Sequence, residues 1–332
     1  MKICVSIKAT DEIAPLVKAG ADEFYCGVIP WQWRKRYKGF FLNRREDIKC
    51  NYSSYKELKV SISLARELGR PVYVTFNAPF YPQILYPELE KIIIKVLSFR
   101  PAGVIVGDPG LLLWLKEKGI NANIVLSAEF GIFNLYDVKC ALGLNNNIKR
   151  IVFQRYLSIP EMKDIISHHP NYDYEAFVLD ERCPFAGPYC FASHDRKLGE
   201  NMCQSIMDAK PQILFAQRKP ISYFNKVYEN ICLYYKRENF NSLFNIKGIE
   251  LNEEDWPVNC GLCHLKALKK AGIKYLKIAG RARSLRFRVR MVEIAKKTAS
   301  GQYNKDEIKE LFVKHYRGSF KENCKYKHLC YY

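Results

Sequence analysis

Five cysteines in the second half of the chain carry the strongest chemical signal. Six residues separate Cys183 from Cys190, twelve separate Cys190 from Cys203, and Cys260 and Cys263 close the set. Thiolates are soft ligands suited to iron–sulfur clusters or zinc, and a cubane cluster takes four of them. Pro184, Gly187 and Pro188 let the chain between the first two cysteines turn tightly, which would hold two thiolates at a fixed separation before any metal arrives. The spacing matches neither a zinc finger nor a bacterial ferredoxin run. Read alone, it leaves an iron–sulfur cluster, a structural zinc and no metal all open. Cys4, Cys26, Cys140 and Cys232 sit among apolar residues and read as small buried hydrophobes. Cys324 and Cys330, near His328, read either as ligands of a second metal or as a tail that contacts a partner.

Polar side chains near strand ends form the second set, because in a barrel enzyme those positions face the reacting centre. Glu23, Tyr25, Asp108, Arg155 and Arg281 are candidates for catalysis; Asn77, Glu129, Lys277 and Arg283 are candidates for holding a substrate. Arg281 and Arg283 together could clamp a carboxylate or phosphate through paired hydrogen bonds. The alternative is that Arg281 pairs with Asp108 and only orders the mouth. Asp108-Pro109-Gly110 also reads as a turn opening the next helix. His194, within the cysteine-rich segment, reads as a donor to a cluster sulfur or as an ordinary loop histidine.

The elements that must position these groups alternate regularly. Short apolar runs at 2–7, 23–28, 72–77, 103–106, 123–127, 150–154, 174–179 and 275–278 read as strands, and most are followed by helical patterns, the last at 285–299. Such alternation argues a parallel sheet, and eight strands favour a closed (β/α)8 TIM-like barrel over a doubly wound open sheet. The rhythm breaks at 180–274, a cysteine-rich insertion between strands 7 and 8. It breaks again at 31–51, an irregular stretch rich in aromatics and Arg/Lys that reads as a lid or an exposed loop. We expect residues 1–300 to form the barrel with its insertion, and 301–332 a basic C-terminal extension.

Composition bounds the partners. The 332 residues carry 53 Lys/Arg against 34 Asp/Glu, a net charge of +19. Residues 264–332 hold 19 Lys/Arg and five Asp/Glu, so most of the excess lies there. Such a field attracts RNA or another polyanion, without naming it. No apolar run is long enough to span a membrane, and the start lacks the apolar block of a secretory signal, so a cytoplasmic protein is expected.

Several runs together resemble the peptidase U32 family. They are Asp22-Glu23-Phe24-Tyr25-Cys26-Gly27, Val104-Ile105-Val106-Gly107-Asp108-Pro109-Gly110, Leu126-Ser127 with Asn134, the stretch 150–161, and Glu175-x-Phe177 leading to Cys183-x6-Cys190-x2-Ser193. The last is Cys260 followed by Ala271-Gly272-Ile273-Lys274-Tyr275-Leu276-Lys277-Ile278-Ala279-Gly280-Arg281-Ala282-Arg283-Ser284. Their joint order spans residues 1–300. The resemblance implies a barrel-like fold and a [4Fe–4S] cluster on Cys183, Cys190, Cys203 and Cys260, with Cys263 as the alternate for Cys260. It further implies an oxygen-independent hydroxylase acting on RNA or a small aromatic, with prephenate as the oxygen source in RNA modification; that dicarboxylate would suit Arg281 and Arg283. The chain departs from the family pattern around Asp180 and at Pro188, where glycine is usual, at Ala279, where the family strand carries Glu, and at Ser127-Ala128-Glu129. These departures fit a divergent branch.

Two other functions remain in view. The older name of the family suggests a peptidase, but the sequence offers no H-E-x-x-H, no G-x-S-x-G and no evident Cys–His pairing. A non-catalytic, metal-stabilised subunit that binds RNA or a protein is the other, and either homo- or hetero-oligomers are compatible with all three.

Overall fold

The computed structural model describes residues 1–37, 42–45, 48–180, 187–189, 258–315 and 330–332. Eight strands run in chain order: Lys2–Ser6 (β1), Glu23–Cys26 (β2), Val72–Phe76 (β3), Gly103–Val106 (β4), Ile124–Leu126 (β5), Ile148–Val152 (β6), Asp173–Leu179 (β7) and Tyr275–Ile278 (β8). Each pairs in parallel with the next, and β8 closes on β1 through Ile3↔Leu276 and Cys4↔Lys277. The fold is therefore a closed (β/α)8 TIM-like barrel and not an open sheet. Most strands read as near-continuous apolar runs because a parallel barrel covers both of their faces. Side chains alternate across each strand. Ile3, Val5, Phe24, Val74, Val104, Ile124 and Leu276 pack outward into the main core under the helices.

Ten helices among the described residues surround the barrel: Ile13–Ala19 (α1), Trp31–Arg36 (α2), Tyr55–Glu67 (α3), Tyr86–Leu97 (α4), Pro109–Glu117 (α5), Leu135–Leu144 (α6), Ile159–His168 (α7), Leu265–Ala271 (α8), Leu285–Ala299 (α9) and Lys305–His315 (α10). Local chemistry sets their ends. Asn134 with Asp137, and Ser158 with Glu161, form capping boxes that satisfy the first amides of α6 and α7. Gly20 and Gly272 stop α1 and α8 in the left-handed conformation. Three short or charged helices, α2, α8 and α10, were not foreseen. Cys140, expected inside, is exposed on α6, whereas Cys4 and Cys26 are buried.

One compact unit comprises Met1–Cys190 and Pro257–Tyr332. The stretch 258–261 returns to the end of β7: Asp180 N donates to Asn259 O at 2.9 Å, and Gly261 N to Val178 O at 2.8 Å. With α8, this stretch rebuilds the barrel well before the insertion was expected to end at 274. The remainder, Phe191–Trp256, lies outside the described residues. Residues 330–332 dock on the same edge. Tyr331 N donates to Cys260 O at 3.0 Å, and the Tyr332 hydroxyl donates to Phe177 O at 2.7 Å.

A buried ion pair ties α9 to the first turn of the fold. Arg288 is fully buried and donates to Ser6 O at 2.6 Å and to both carboxylate oxygens of Glu12. Removing one partner of such a pair leaves the other charge without compensation. Arg288→Ala is expected to cost about 3–5 kcal/mol, read as a lower urea midpoint. A loss no larger than that of an exposed substitution would show that the pair holds nothing together.

Candidate active site at the barrel mouth

Barrel interiors are usually filled by branched aliphatic side chains. This one carries charge. Register brings Cys4, Glu23, Arg150, Glu175 and Lys277 onto inward-facing positions of β1, β2, β6, β7 and β8. Arg150 donates to both oxygens of Glu23 and, at 3.0 Å, to Glu175 Oε2. Lys277 donates to Glu175 Oε1 at 2.7 Å. The Arg150 guanidinium stacks 3.4 Å from the Tyr275 ring, and Lys277 Nζ lies 4.2 Å from the Tyr25 ring. Two cations and two anions thus balance, and both carboxylates are about 1% exposed. Burial pushes the Glu175 carboxyl up, but Lys277 and then Arg150 outweigh it and hold it below the usual range. Lys277 is held above its usual value, its burial offset chiefly by Glu175.

Among the described residues, the potential metal donors whose ligand atoms converge are Cys4, Glu23 and Glu175 in this layer. Burial and the neighbouring Glu175 push the Cys4 thiol well above its usual value. A metal-binding thiolate is disfavoured there, and both carboxylates already have counter-ions.

Above this layer the mouth forms an open cavity, whose empty space of about 580 Å³ includes the solvent at its opening. Tyr25, Asn77, Glu129, Arg155, Lys277 and Arg281, all candidates from the sequence, line it together. Arg44, Arg45 and Thr75 join them and were not foreseen. Arg44 and Arg45 lie in the irregular stretch after β2, and the density of Arg/Lys there was the available signal. Five cations therefore face one carboxylate, Glu129, which lies 3.3 Å from Arg44 Nε. Arg155 sits 4.0 Å over the Phe177 ring.

Arg281 does not pair with Asp108. Its Nη1 donates to Asn43 Oδ1 at 3.2 Å, Asn51 Oδ1 at 3.3 Å and Thr75 Oγ1 at 3.4 Å, and burial lowers its pKa. Gly27 makes this possible, because a Cβ there would collide with Asn51, Arg281 and Asn43. Asn77 bridges Arg44 N and Ser127 Oγ.

Three candidates stand outside the cavity lining. Glu23 opens β2 rather than ending it, so it lies in the charged layer below. Asp108 caps α5 through Gly110 N at 2.9 Å and also accepts from Tyr81 N; burial raises its pKa against those bonds. Arg283 does not share a clamp with Arg281, because it pairs with Asp180, Nη2 to Oδ1 at 2.8 Å. Of the cysteines, Cys260 is buried at the end of β7, and Cys263 lies in the turn that follows. Cys183, Cys190, Cys203, Cys324, His194 and His328 lie outside the described residues. Gly187–Tyr189, between the first two of those cysteines, is described. Gly187 packs so closely on the Glu129 carboxylate that a Cβ would overlap it, and Pro188 meets Gly131.

Sequence basicity at 264–332 is partly internal. Lys274, Lys277, Arg283, Arg288 and Lys296 all pair with carboxylates of the barrel unit. Among the described residues no helix is long and apolar enough to cross a membrane.

Glu175→Gln tests the charged layer. A depressed carboxyl pKa gives stability that is present above the unfolded value, about 4.3, and lost as pH falls through the folded value. Wild type should therefore exceed the variant in urea stability at neutral pH, with the gap closing below about pH 4. A gap independent of pH would mean that the carboxylate charge is not what matters.

The profile of Peptidase family U32 matches residues 8–332. The tRNA hydroxylation protein P of Haemophilus influenzae is 24% identical over 308 residues, covering 84% of this chain and 63% of that protein. The tRNA hydroxylation protein P of Helicobacter pylori is 30% identical over 165 residues, 49% of this chain and 35% of that one. A solved structure of a U32 peptidase superposes with a TM-score of 0.45 at 13% identity, covering 84% of this chain and 92% of that one. The chain thus spans less than two thirds of the length of these curated relatives. From the profile match over nearly all of its length, the chain belongs to peptidase family U32.

Proposed function

We propose that this U32 protein is an iron–sulfur enzyme that hydroxylates RNA without molecular oxygen, taking the oxygen from an organic anion such as prephenate. One juxtaposition carries the reading: in a mouth lined by Arg44, Arg45, Arg155, Lys277 and Arg281, the lining residue Glu129 packs against Gly187, which stands in the sequence between two candidate cluster cysteines. A small dianion finds its counter-charge there beside a redox group. The names of the Haemophilus and Helicobacter relatives support RNA as the substrate.

The described part of the donor set fits a cluster, since Cys260 offers a buried soft thiol with Cys263 nearby as alternate. Cys183, Cys190, Cys203 and Cys260 would hold it. When bound, a [4Fe–4S] cluster supplies one-electron transfer at the mouth. The remaining roles belong to side chains of the cavity. Lys277, held charged by Glu175, and Arg281, fixed by two asparagines and a threonine, receive the carboxylates of the anion. Tyr25 donates its hydroxyl proton to Ile278 O at 3.2 Å, so it presents its ring to the cations rather than a mobile proton. Arg155 over Phe177 walls one side, and Asn77 with Ser127 closes another. Glu129 is the carboxylate of the lining and the natural proton acceptor there. Glu23 and Asp108 position other groups, through Arg150 and through α5. Exposed lysines on α8, with the cations of α2, extend the field toward an anionic partner.

One contact favours a peptidase as the second reading. Cys330 Sγ lies 3.7 Å from His264 Nε2, a Cys–His proximity that the sequence did not suggest. That pair is not in the cavity lining, and the Cys330 thiol donates to Tyr332 O at 3.0 Å. A peptidase centred there would leave the cationic mouth without a role.

Protein purified without oxygen should be brown, with roughly four iron and four sulfide per chain, and Cys190→Ser should lose that chromophore. Lys277→Met and Arg281→Gln should keep it and raise the KM for the organic anion by about tenfold or more. Zinc alone, or an unchanged Cys190→Ser spectrum, would overturn the ligand set. Gelatin cleavage by metal-free protein, abolished in Cys330→Ala, would favour the peptidase.

A further inference from the structure

Large apolar side chains that remain in water ask for an explanation when they gather on one face. Among the described residues the exposed aromatics are Trp31 at 63%, Phe80 at 42%, Tyr136 at 74% and Tyr156 at 41%. All four lie where the chain leaves the C-terminal end of a strand. Trp31 opens α2 after β2, Phe80 follows β3, Tyr136 is in the first turn of α6 after β5, and Tyr156 follows β6. Topology therefore places them on the face that holds the cationic cavity. Of the exposed aliphatics, Ile84 lies in the turn Gln83–Leu85 after β3, beside Phe80 on this same face, whereas Val60, Leu68, Ile94 and Leu113 lie in or at the ends of α3, α4 and α5.

The exposed rings are held, not loose. Trp33, two residues from Trp31, is 2% exposed and anchors α2 in the core. Tyr81, next to Phe80, is buried and donates its hydroxyl to Leu42 O at 2.7 Å. Tyr156 follows Arg155, which lines the cavity. Charge of one sign accompanies the rings: α2 carries Arg34, Lys35 and Arg36 and no acidic residue. The Arg34 guanidinium lies 6.0 Å from the Trp31 ring.

We propose that this aromatic and basic rim docks a single-stranded, unstacked segment of RNA, guiding one nucleotide toward the cavity. The inference rests on RNA being the substrate and adds the surface and the mode of recognition. Planar rings interleaved with cations match the two features of a single strand, exposed base faces and a phosphate chain. A duplex hides its base faces in the stack and offers the rings nothing, because its narrow major groove excludes side chains.

The test uses the full chain, purified with its metal, and a fluorescent oligouridylate of about 12 nucleotides against an RNA duplex of equal length. The single strand should bind more tightly. Trp31→Ala and Tyr156→Ala should each weaken it about tenfold with the salt dependence unchanged, and Trp31→Phe should retain most of the affinity. Arg34→Gln with Arg36→Gln should flatten the salt dependence by roughly one to two phosphate contacts. Leu113→Ala, on the flank of α5, should change nothing. Undiminished single-strand binding in a Trp31→Ala/Tyr156→Ala variant, or equal affinity for the duplex, would overturn the rim as the docking surface while leaving RNA as substrate. Binding of neither RNA by wild type would overturn the RNA reading itself.

Discussion

The charge balance inside the barrel is the interaction on which the site depends. A lone ionised group in such a place costs several kcal/mol, so each member of the set Glu23, Arg150, Glu175 and Lys277 requires the others. Arg150 bridges both carboxylates, and Lys277 completes the neutrality from β8. The consequence reaches upward. Because its counter-ion sits on the neighbouring strand, Lys277 stays protonated while its flank forms the cavity floor. The layer below is neutral, and Arg44, Arg45, Arg155 and Arg281 line the cavity above it.

The mouth is assembled from segments far apart in the chain. Arg281 follows β8, yet Asn43 and Asn51 after β2 and Thr75 on β3 fix its guanidinium. Gly27 leaves the space for them. Glu129 after β5 meets Gly187, which stands between Cys183 and Cys190 in the sequence. Residues 330–332 close the edge beside Cys260, with Tyr331 stacked near Phe177 and its hydroxyl donated to Asp180 O. Loops over a rigid barrel can thus be positioned by polar contacts between them, which is how this architecture accepts new chemistry without altering its strands.

Among its lining residues the mouth gathers five cations and one carboxylate. The cations are not interchangeable in this arrangement. Arg281 is planar and held by several acceptors, which suits an oriented carboxylate; Lys277 is a compact charge on a cushion of tyrosine. Arg283, though close in sequence, acts on Asp180, whose backbone is in the left-handed region with φ of 63°. Glycine adopts that conformation without strain; here an aspartate holds it while its side chain pairs with Arg283.

By itself the sequence determined the eight strands, their parallel order and the bounds of α9, because hydrophobic periodicity and capping are local properties. It also marked Tyr25, Asn77, Glu129, Arg155, Lys277 and Arg281 as mouth residues, since position relative to a strand end is readable along the chain. Tertiary structure alone decided partnership. No local pattern says that Arg150 bridges Glu23 and Glu175, that Arg283 chooses Asp180 over a shared clamp, or that Cys330 comes to rest by His264. Glu23 was placed a layer too high because the direction and start of a strand shift by a residue or two without any change in its pattern. Cys140 was misread for a related reason: apolar neighbours in sequence on α6 do not fix which side of the helix meets the core. Pairing of charges across a barrel follows from closure and register, and these exist only once all eight strands have met.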